Sequence, residues 1–237
     1  MAKYRVYNRR QQGLAETTRL ILEISGAEYE NLFPEARTLS MAHHNHYLTR
    51  HRRTGKKKKV QPRLDNCPFS MSKGIQANGY MALLKIESIA ESHSMERFLA
   101  ANLGLLGSTP VEAAVLDMYH AAWSDMIAMF MWKVWRESDQ DAKKRGAAEF
   151  WLLFPKFLET HEKILASRGP FYGGDQPSLP DIYAFTWLNR FITEWIPSPP
   201  GSITEDKYPR MWELWRGIRE NIRIKDYFES GRWQLKE

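Results

Sequence analysis

Apolar residues near the N-terminus form a short run and then a stripe with helical spacing. Residues 5–7, Arg-Val-Tyr, are typical of a short strand. Residues 14–24 repeat apolar side chains at helical spacing, and the pattern stops at Gly26, a residue type that often ends helices. The chain is therefore predicted to open with a strand, a loop over residues 8–13 and a helix.

A second junction between a strand and a helix is predicted further along. Residues 81–86 are mostly apolar and predict a strand, while Met95, Phe98 and Leu99 lie three and four residues apart and predict a helix that begins near Ser92. The first N–H groups of a helix lack intrahelical acceptors, and the helix dipole favours negative charge there. This junction therefore suits a small anion such as a carboxylate or a phosphate, and an ordinary helix cap is the alternative.

The second half of the chain has helical periodicity throughout. The predicted helices cover residues 110–135 and 140–167 and begin again after Ser178 and Pro209. Ser178 and Asp181 have the spacing of a capping box, and Pro180 lies in the first turn, where its missing N–H costs nothing. The aromatic stripe over residues 150–158 is expected to belong to the core.

Length and composition suit a globular protein of two small domains. The chain has 237 residues, of which 43% are hydrophobic, so it can bury a substantial core. A run of about 18 apolar residues is lacking, which argues against a membrane span, and the N-terminus lacks the apolar region of a signal peptide. Cys67 is the only cysteine, which predicts a reducing compartment, the cytoplasm, and excludes an internal disulfide.

The net charge of +6 comes from one segment. Residues 37–64 hold nine lysines and arginines and neither Asp nor Glu, so without them the net charge would be −3. The basic run over residues 50–60 lacks apolar periodicity, and such charge blocks stay solvated. A solvated loop is the favoured interpretation, and a nuclear-import signal or a nucleic-acid patch through residues 50–63 is the alternative.

Three histidines in this basic segment raise the question of a metal site. His43, His44 and His46 lie close together, but the segment offers no Asp, Glu or Cys beside them. Protein metal sites usually combine several ligands in a structured setting. We therefore interpret the three histidines as incidental and predict that no metal is bound.

Three motifs occur in a defined order along the chain. They are Tyr7 with Gly-Leu-Ala-Glu-Thr-Thr-Arg at residues 13–19, Ala-Glu-Ser-His-Ser-Met-Glu-Arg-Phe-Leu-Ala at residues 90–100, and Tyr-Gly-Gly-Asp-Gln-Pro-Ser-Leu-Pro-Asp at residues 172–181. Together they resemble the cytosolic glutathione transferase family, of a tyrosine type that is sigma-like or related. The resemblance implies an α/β thioredoxin-like domain at residues 1–103, with insertions within residues 36–80, and an all-α bundle at residues 108–237.

The resemblance also implies a glutathione site and an activity. In that family a tyrosine activates the thiol of glutathione as a nucleophile, and Tyr7 matches this tyrosine. The implied peptide-binding residues are the backbone at Met81 and Ala82, then Glu91 for the γ-glutamyl ammonium and Ser92 for its carboxylate. Asp125 matches an acidic position that, in related classes, reaches the glutathione of the partner subunit in a homodimer.

A hydrophobic cosubstrate is expected against the first long helix of the second half. Tyr119, Trp123, Met126 and Phe130 lie on one face of that helix. The resemblance implies that this face lines the cleft between the domains, where an apolar wall could hold an electrophile. Tyr119, Trp123 and Met126 are therefore the candidate cosubstrate-binding residues.

The chain departs from the family pattern at several positions. Ala82 stands where the family has a cis-proline, the loop between Tyr7 and Gly13 is one residue longer, and Leu14 replaces an arginine found in several classes. Cys67, Pro68 and Phe69 could be what remains of the family's turn before the peptide-binding strand, with residues 70–79 as a second interruption.

Two functions therefore remain open. The first is a glutathione transferase that conjugates glutathione to an apolar electrophile, which the presence of Tyr7, Glu91 and Ser92 favours. The second is a non-catalytic relative that keeps the fold as an interaction or structural protein, with the basic segment as a tether. Ala82 and the insertions favour this second function. Binding of glutathione would separate the two.

Overall fold

The structure, a computed structural model, describes residues 3–7, 13–33, 70–74, 88–193, 196, 198–199 and 201–234. The described strands are β1 (Lys3–Tyr7), β2 (Tyr29–Leu32), β3 (Ser70–Gly74) and β4 (Ser88–Ala90). The described α-helices are α1 (Ala15–Ser25), α2 (Ser92–Asn102), α3 (Pro110–Phe130), α4 (Gln140–Arg168), α5 (Leu179–Ile192), α6 (Pro209–Arg219) and α7 (Ile222–Glu229). A π-helical turn (Met131–Trp135) follows α3, and a 3-10 turn (Arg232–Gln234) follows α7.

The four strands form one mixed sheet in the order β2-β1-β3-β4. β1 runs parallel to β2, to which it is connected through α1, and antiparallel to β3, which is itself antiparallel to β4. A parallel βαβ unit followed by an antiparallel pair and a helix is the thioredoxin-like arrangement. The predicted fold, an α/β thioredoxin-like unit followed by helices, is therefore confirmed.

α1 begins and ends where the sequence predicted. Gly26 adopts the left-handed conformation with φ 65°, and its N–H donates to the carbonyls of Glu23 and Leu22 at the helix end. Leu20, Ile21 and Leu22 are all buried, as are Tyr4 and Val6 on alternate positions of β1. Burial of these side chains holds α1 against the sheet.

The strand that pairs with β1 on its antiparallel side differs from the prediction. β3, at Ser70–Gly74, occupies this place, whereas residues 70–79 were expected to interrupt the domain. That expectation is wrong for residues 70–74, because their backbone completes the hydrogen bonding of β1. The predicted strand at residues 81–86, with Met81 and Ala82, lies outside the described residues, as do the basic run, the three histidines and Cys67 to Phe69.

Local capping explains where the long helices begin. Thr109 Oγ1 accepts from the N–H of Glu112 at 3.2 Å, and Glu112 Oε2 accepts from the N–H of Thr109 at 3.1 Å, with Pro110 as the first helical residue of α3. At α5, Asp181 Oδ2 accepts from the N–H of Ser178 at 2.8 Å and from its hydroxyl at 2.5 Å. The predicted capping box is therefore confirmed.

Aromatic side chains fill the core between the long helices. Phe150 and Phe154 stack with ring centroids 4.8 Å apart, and Phe191 of α5 packs edge-on against Phe130 of α3 at 5.6 Å. Phe150, Phe154 and Leu158 are fully buried. The predicted core stripe of α4 is therefore confirmed for Phe150, Phe154 and Leu158, whereas Trp151 and Phe157 are half-buried.

The chain divides into two compact units. The N-terminal unit comprises Met1–Phe98 together with Tyr227–Glu237, and the helical unit comprises Leu99–Asp226. The sequence had assigned all residues after 108 to the helical domain, but the last ones contact α1, as shown by a hydrogen bond from the Tyr227 hydroxyl to Glu16 at 3.0 Å. Within the described residues, every helix is either too short or too polar to cross a bilayer.

Candidate functional site

One end of the sheet brings together residues that are far apart in the sequence. Tyr7, the last residue of β1, pairs in register with Ser70 at the start of β3, and Ser70 pairs with Ala90 at the end of β4. Because neighbouring strands lie about 4.8 Å apart, the backbones of Tyr7 and Ala90 are separated by about 10 Å. The residues that follow Ala90 therefore lie at the same end of the sheet as Tyr7, where β1 and β4 both finish.

The turn after β4 has an unusual backbone conformation. Glu91 has a φ of 71°, and it is the single non-glycine residue with positive φ within the described part of the chain. Such a conformation costs about 1 to 3 kcal/mol and persists only where the surroundings enforce it, often at binding sites. Strain at Glu91 therefore supports a functional role for this turn.

α2 begins immediately after this strained residue. Ser92 is its first residue and is 9% exposed, and the helical hydrogen bonding starts from the N–H of Met95 to the carbonyl of Glu91 at 3.0 Å. The N–H groups before Met95 therefore precede the helical hydrogen bonding and lack intrahelical acceptors. Together with the helix dipole they make a place for a carboxylate, and the exposed Glu91 side chain adds a negative charge for a cation.

Two features of this end of the sheet escaped the sequence prediction. Ser70 is the strand residue next to Tyr7, although residues 70–79 were expected to interrupt the domain. The turn-forming Pro68, two residues before β3, was the signal that could have located it. The second feature is a polar pair in the first turn of α2, where His93 Nδ1 lies 2.9 Å from Glu96 Oε2.

The other predicted residues of the N-terminal unit are described only in part. The backbone of Tyr7 lies at the site edge, and its role as the residue that activates the thiol stays a prediction. Met81 and Ala82 lie outside the described residues, so their part in peptide binding stays a prediction as well. Leu14 precedes the first turn of α1 in a helical conformation with φ −62°.

The predicted cosubstrate residues differ in their exposure. Trp123 is fully buried, and its ring packs edge-on against Phe157 at 4.9 Å inside the helical unit. Its expected contact with a cosubstrate is therefore corrected: Trp123 is a core residue, because its face of α3 packs on α4. Tyr119 and Met126 are half-buried, and Asp125 is exposed on the same helix.

Trp123 is also part of a buried hydrogen-bond chain. Its Nε1 donates to the hydroxyl of Tyr172 at 2.9 Å, and that hydroxyl lies 2.5 Å from Nδ1 of His161. Burial lowers the pKa of His161 to about 4 and raises that of Tyr172 well above its usual range, so both groups are neutral at pH 7. An indole can only donate, so the Tyr172 hydroxyl accepts from Trp123 and donates to His161 Nδ1. These buried hydrogen bonds have a structural role in the helical unit.

Arg168 and Tyr119 lie beside this chain. The ring of Tyr119 stacks on that of Tyr172 with centroids 5.0 Å apart, and the guanidinium of Arg168 lies 5.2 Å from the Tyr119 ring centre. Nη1 of Arg168 also donates to the carbonyl of Tyr172 at 3.0 Å. These contacts hold the half-exposed Tyr119 ring in one orientation, which suits a flat apolar binding surface.

The known proteins that this chain resembles in sequence are glutathione S-transferases. Residues 124–231 match a family model described as "Glutathione S-transferase, C-terminal domain". A protein of Dictyostelium discoideum, provisionally named glutathione S-transferase alpha-3, is 21% identical over 142 residues, which span 60% of this chain and 67% of that protein.

Solved structures share the fold over nearly the full length. The rat hPGDS complexed with a quinoline has a TM-score of 0.68 at 17% identity, and the match covers 96% of each chain. The Pi-class glutathione S-transferase of Onchocerca volvulus has a TM-score of 0.67 at 19% identity, and the match covers 97% of this chain and 93% of that one. At such identities the likeness establishes the fold.

Proposed function

We propose that this chain, whose residues 124–231 match the C-terminal domain model of glutathione S-transferases, is a cytosolic glutathione transferase that binds glutathione and conjugates its thiol sulfur to an apolar electrophile. Glutathione is then a substrate, and the reaction requires no metal. The cytoplasm is the proposed compartment, because a chain with one cysteine cannot form an internal disulfide and suits reducing conditions.

This proposal rests on one observation: Tyr7 and the turn that leads to Ser92 lie at the same end of the sheet. The register of three strands aligns Tyr7 with Ala90, and the strained Glu91 then leads directly into the N-terminus of α2. A γ-glutamyl group has both a carboxylate and an ammonium. In the proposed complex Ser92 and its N–H bind the carboxylate, and Glu91 binds the ammonium.

The proposed chemistry is activation of a thiol. Free thiols have a pKa of about 8.5 and are mostly protonated at neutral pH, whereas the thiolate is the nucleophile. A hydrogen bond from the Tyr7 hydroxyl to the sulfur would stabilise the thiolate and lower the pKa of the thiol, so that its proton leaves to solvent. The sulfur lone pair then forms the new bond to the electrophilic carbon of the cosubstrate, while the bond from that carbon to a leaving group breaks and its electron pair departs with the leaving group, or a π bond opens and the resulting anion takes a proton from solvent.

The backbone that holds the cysteinyl unit has two candidates. The resemblance favours the strand beginning at Met81, with Ala82 beside the peptide. The register favours the segment that enters β3, because Ser70 lies directly next to Tyr7. For the cosubstrate, the proposal keeps Tyr119 and Met126, whose half-buried side chains can contact an apolar ligand.

A homodimer is part of the proposal. Val111 and Met118 are 73% and 55% exposed, and with Asp125 they are spaced seven residues apart on one face of α3. An exposed apolar face of this kind is typical of a protein interface. Across it, Asp125 of the partner subunit would contact the bound γ-glutamyl ammonium.

Calorimetric titration with glutathione tests the proposed site. We expect Ser92→Ala to weaken binding by about 1 to 3 kcal/mol, roughly 5- to 150-fold, because the buried carboxylate would lose one hydrogen bond. Ser94→Ala is the matched control, since Ser94 is exposed on the same helix, and it should bind like the unmodified chain. Equal affinity of both variants would remove Ser92 from the site, and a chain that does not bind glutathione at all would be the non-catalytic relative.

A further inference from the structure

The C-terminal segment contacts α1 through a fully buried tyrosine. Tyr227 is 0% exposed, and its hydroxyl donates to Oε1 of Glu16 at 3.0 Å. Burial and the nearby Glu16 carboxylate raise the pKa of Tyr227, so it remains a proton donor. Glu16 is itself 4% exposed and lies in the first turn of α1, nine residues after Tyr7. The C-terminal segment therefore contacts the helical turn that receives the loop from Tyr7.

A series of hydrogen bonds, buried at Glu16 and Arg19 and part-buried at Asn31, continues from Glu16 to the sheet. Oε2 of Glu16 accepts from Nη1 of Arg19 at 2.9 Å, and Nε of Arg19 donates to Oδ1 of Asn31 at 2.9 Å. Asn31 pairs in register with Val6, and the next residue of β2 pairs with Tyr7. Three hydrogen bonds thus connect Tyr227 to Asn31 of β2, whose partner in β1 is Val6, the residue before Tyr7.

The hydrogen bonds between Tyr227, Glu16 and Arg19 involve charged groups and are shielded from water. Arg19 is 0% exposed, so the ion pair with Glu16 lies in a low dielectric, where hydrogen bonds are strong and their geometry is well defined. Removal of one partner would leave a buried carboxylate short of a donor, which is costly. Rearrangement at either end is therefore expected to be felt at the other.

A second, more exposed contact holds the same segment. Arg232 donates through Nη1 to Oε1 of Glu23 at 2.7 Å, and the hydroxyl of Tyr29 donates to the same oxygen at 2.7 Å. The side chain of Arg232 is 45% exposed, so water screens this ion pair and its contribution is small. The buried Tyr227 contact is therefore the one that matters for geometry.

We propose that Tyr227 is a positioning residue, which acts through Glu16, Arg19 and Asn31 to hold the carboxyl end of β1 and the first turn of α1 in place. The inference rests on the proposed function only in what this positioning serves, namely the alignment of Tyr7 with bound glutathione. The C-terminal segment would then help to keep the candidate site of the N-terminal unit in its geometry.

Hydrogen exchange of the full-length chain tests the inference without glutathione. In Tyr227→Phe we expect the amides of residues 4–7, 15–18 and 29–32 to exchange about tenfold faster, while those of residues 179–192 stay unchanged. Tyr208→Phe is the control, since Tyr208 is a buried tyrosine of the helical unit, and it should leave residues 4–7 unchanged. If Tyr227→Phe does not fold, Asn31→Ala breaks the last hydrogen bond of the series and should accelerate exchange at residues 4–7 and 29–32.

Glutathione titration of the same variants separates the two proposals. Where the unmodified chain binds glutathione, Tyr227→Phe should raise the Kd about fivefold at a temperature at which it is fully folded. A purely structural Tyr227 would lower the melting temperature and leave Kd and the exchange of residues 4–7 unchanged, which overturns the inference. An unmodified chain that fails to bind overturns the proposed function, and the exchange data still decide the role of Tyr227.

Discussion

At the scale of single residues, the buried Tyr172 has well-defined hydrogen-bond partners. The hydroxyl of Tyr172 lies between Trp123 Nε1 and His161 Nδ1, and its backbone N–H donates to Asp181 Oδ1 at 2.8 Å. A buried polar group without its partner costs about 1 to 3 kcal/mol. The contrast is Glu91, where the strain is stored in the backbone of the candidate site.

His161 should make the stability of the helical unit depend on pH. Burial lowers the pKa of His161 to about 4, while an unfolded histidine has a pKa of about 6.5. The unfolded chain therefore binds more protons between these values, so the stabilising contribution of neutral His161 is present above pH 6.5 and is lost as the pH falls towards 4.

The variant His161→Leu isolates this effect. At pH 7 it should be less stable than the unmodified chain by about 1 to 3 kcal/mol, because the Tyr172 hydroxyl loses its acceptor. The difference in the free energy of unfolding, measured by denaturant titration, should shrink as the pH falls from 7 to 4. A difference that stays constant over this range would mean that His161 is not buried in its neutral form.

At the scale of elements, close contact of backbones decides which side chains are allowed. The start of α4 passes the π-helical turn at Gly146, and a Cβ added there would lie 2.3 Å from the carbonyl oxygen of Lys133. Alongside, Lys133 Nζ and Glu149 Oε1 lie 2.6 Å apart. Glycine at this position therefore serves the packing of two helical elements.

Gly146→Ala should destabilise the chain despite the better helix propensity of alanine. Propensity alone would stabilise the helix by about 1 kcal/mol, but overpacking against Lys133 should cost about 1 to 3 kcal/mol more than that gain. Ala148→Gly, at an exposed position of the same helix, calibrates the propensity and should cost about 1 kcal/mol. Thermal unfolding measures both, and a stabilised Gly146→Ala would show that the turn yields.

A pair of proline variants distinguishes the two candidate strands for the peptide. If the segment entering β3 holds glutathione, Pro68→Ala should weaken binding about tenfold, because alanine restricts the backbone less than proline does. Ala82→Pro should then leave the affinity unchanged. Calorimetric titration of both variants with glutathione measures the two affinities. Tighter binding by Ala82→Pro together with unchanged binding by Pro68→Ala would show that the strand beginning at Met81 holds the peptide.

At the scale of the whole molecule, charge and fold belong to different segments. Residues 37–64 hold nine of the 34 lysines and arginines, and they precede β3, which completes the sheet. The excess positive charge is therefore separable in sequence from the strand that pairs with β1.

Two deletions should behave differently for this reason. Removal of residues 37–64 with a short linker should leave a folded chain with an isoelectric point below neutrality, since closing a shorter loop costs little. Removal of residues 37–79 also deletes β3, which lies between β1 and β4, and should abolish cooperative unfolding. Circular dichroism and isoelectric focusing measure both, and a cooperative melt of the larger deletion would contradict the role of β3.

Local chemistry made much of the fold predictable from the sequence. Gly26 at the end of α1, Ser92 at the start of α2 and the pair Ser178 and Asp181 at α5 each act within a few residues, so their patterns are readable in one dimension. The turn at Glu91 and Ser92 is therefore recognisable as a candidate site from the sequence alone.

Other features depended on partners distant in the chain. Which segment pairs with β1 is decided by hydrogen bonding across the sheet, so residues 70–74 form a strand where an interruption was expected. Helical spacing put Trp123 on a face of α3, but only packing against α4 decided that this face is core. The contact of Tyr227 with Glu16, 211 residues apart, arises in the same way, because only folding brings the two ends of the chain together.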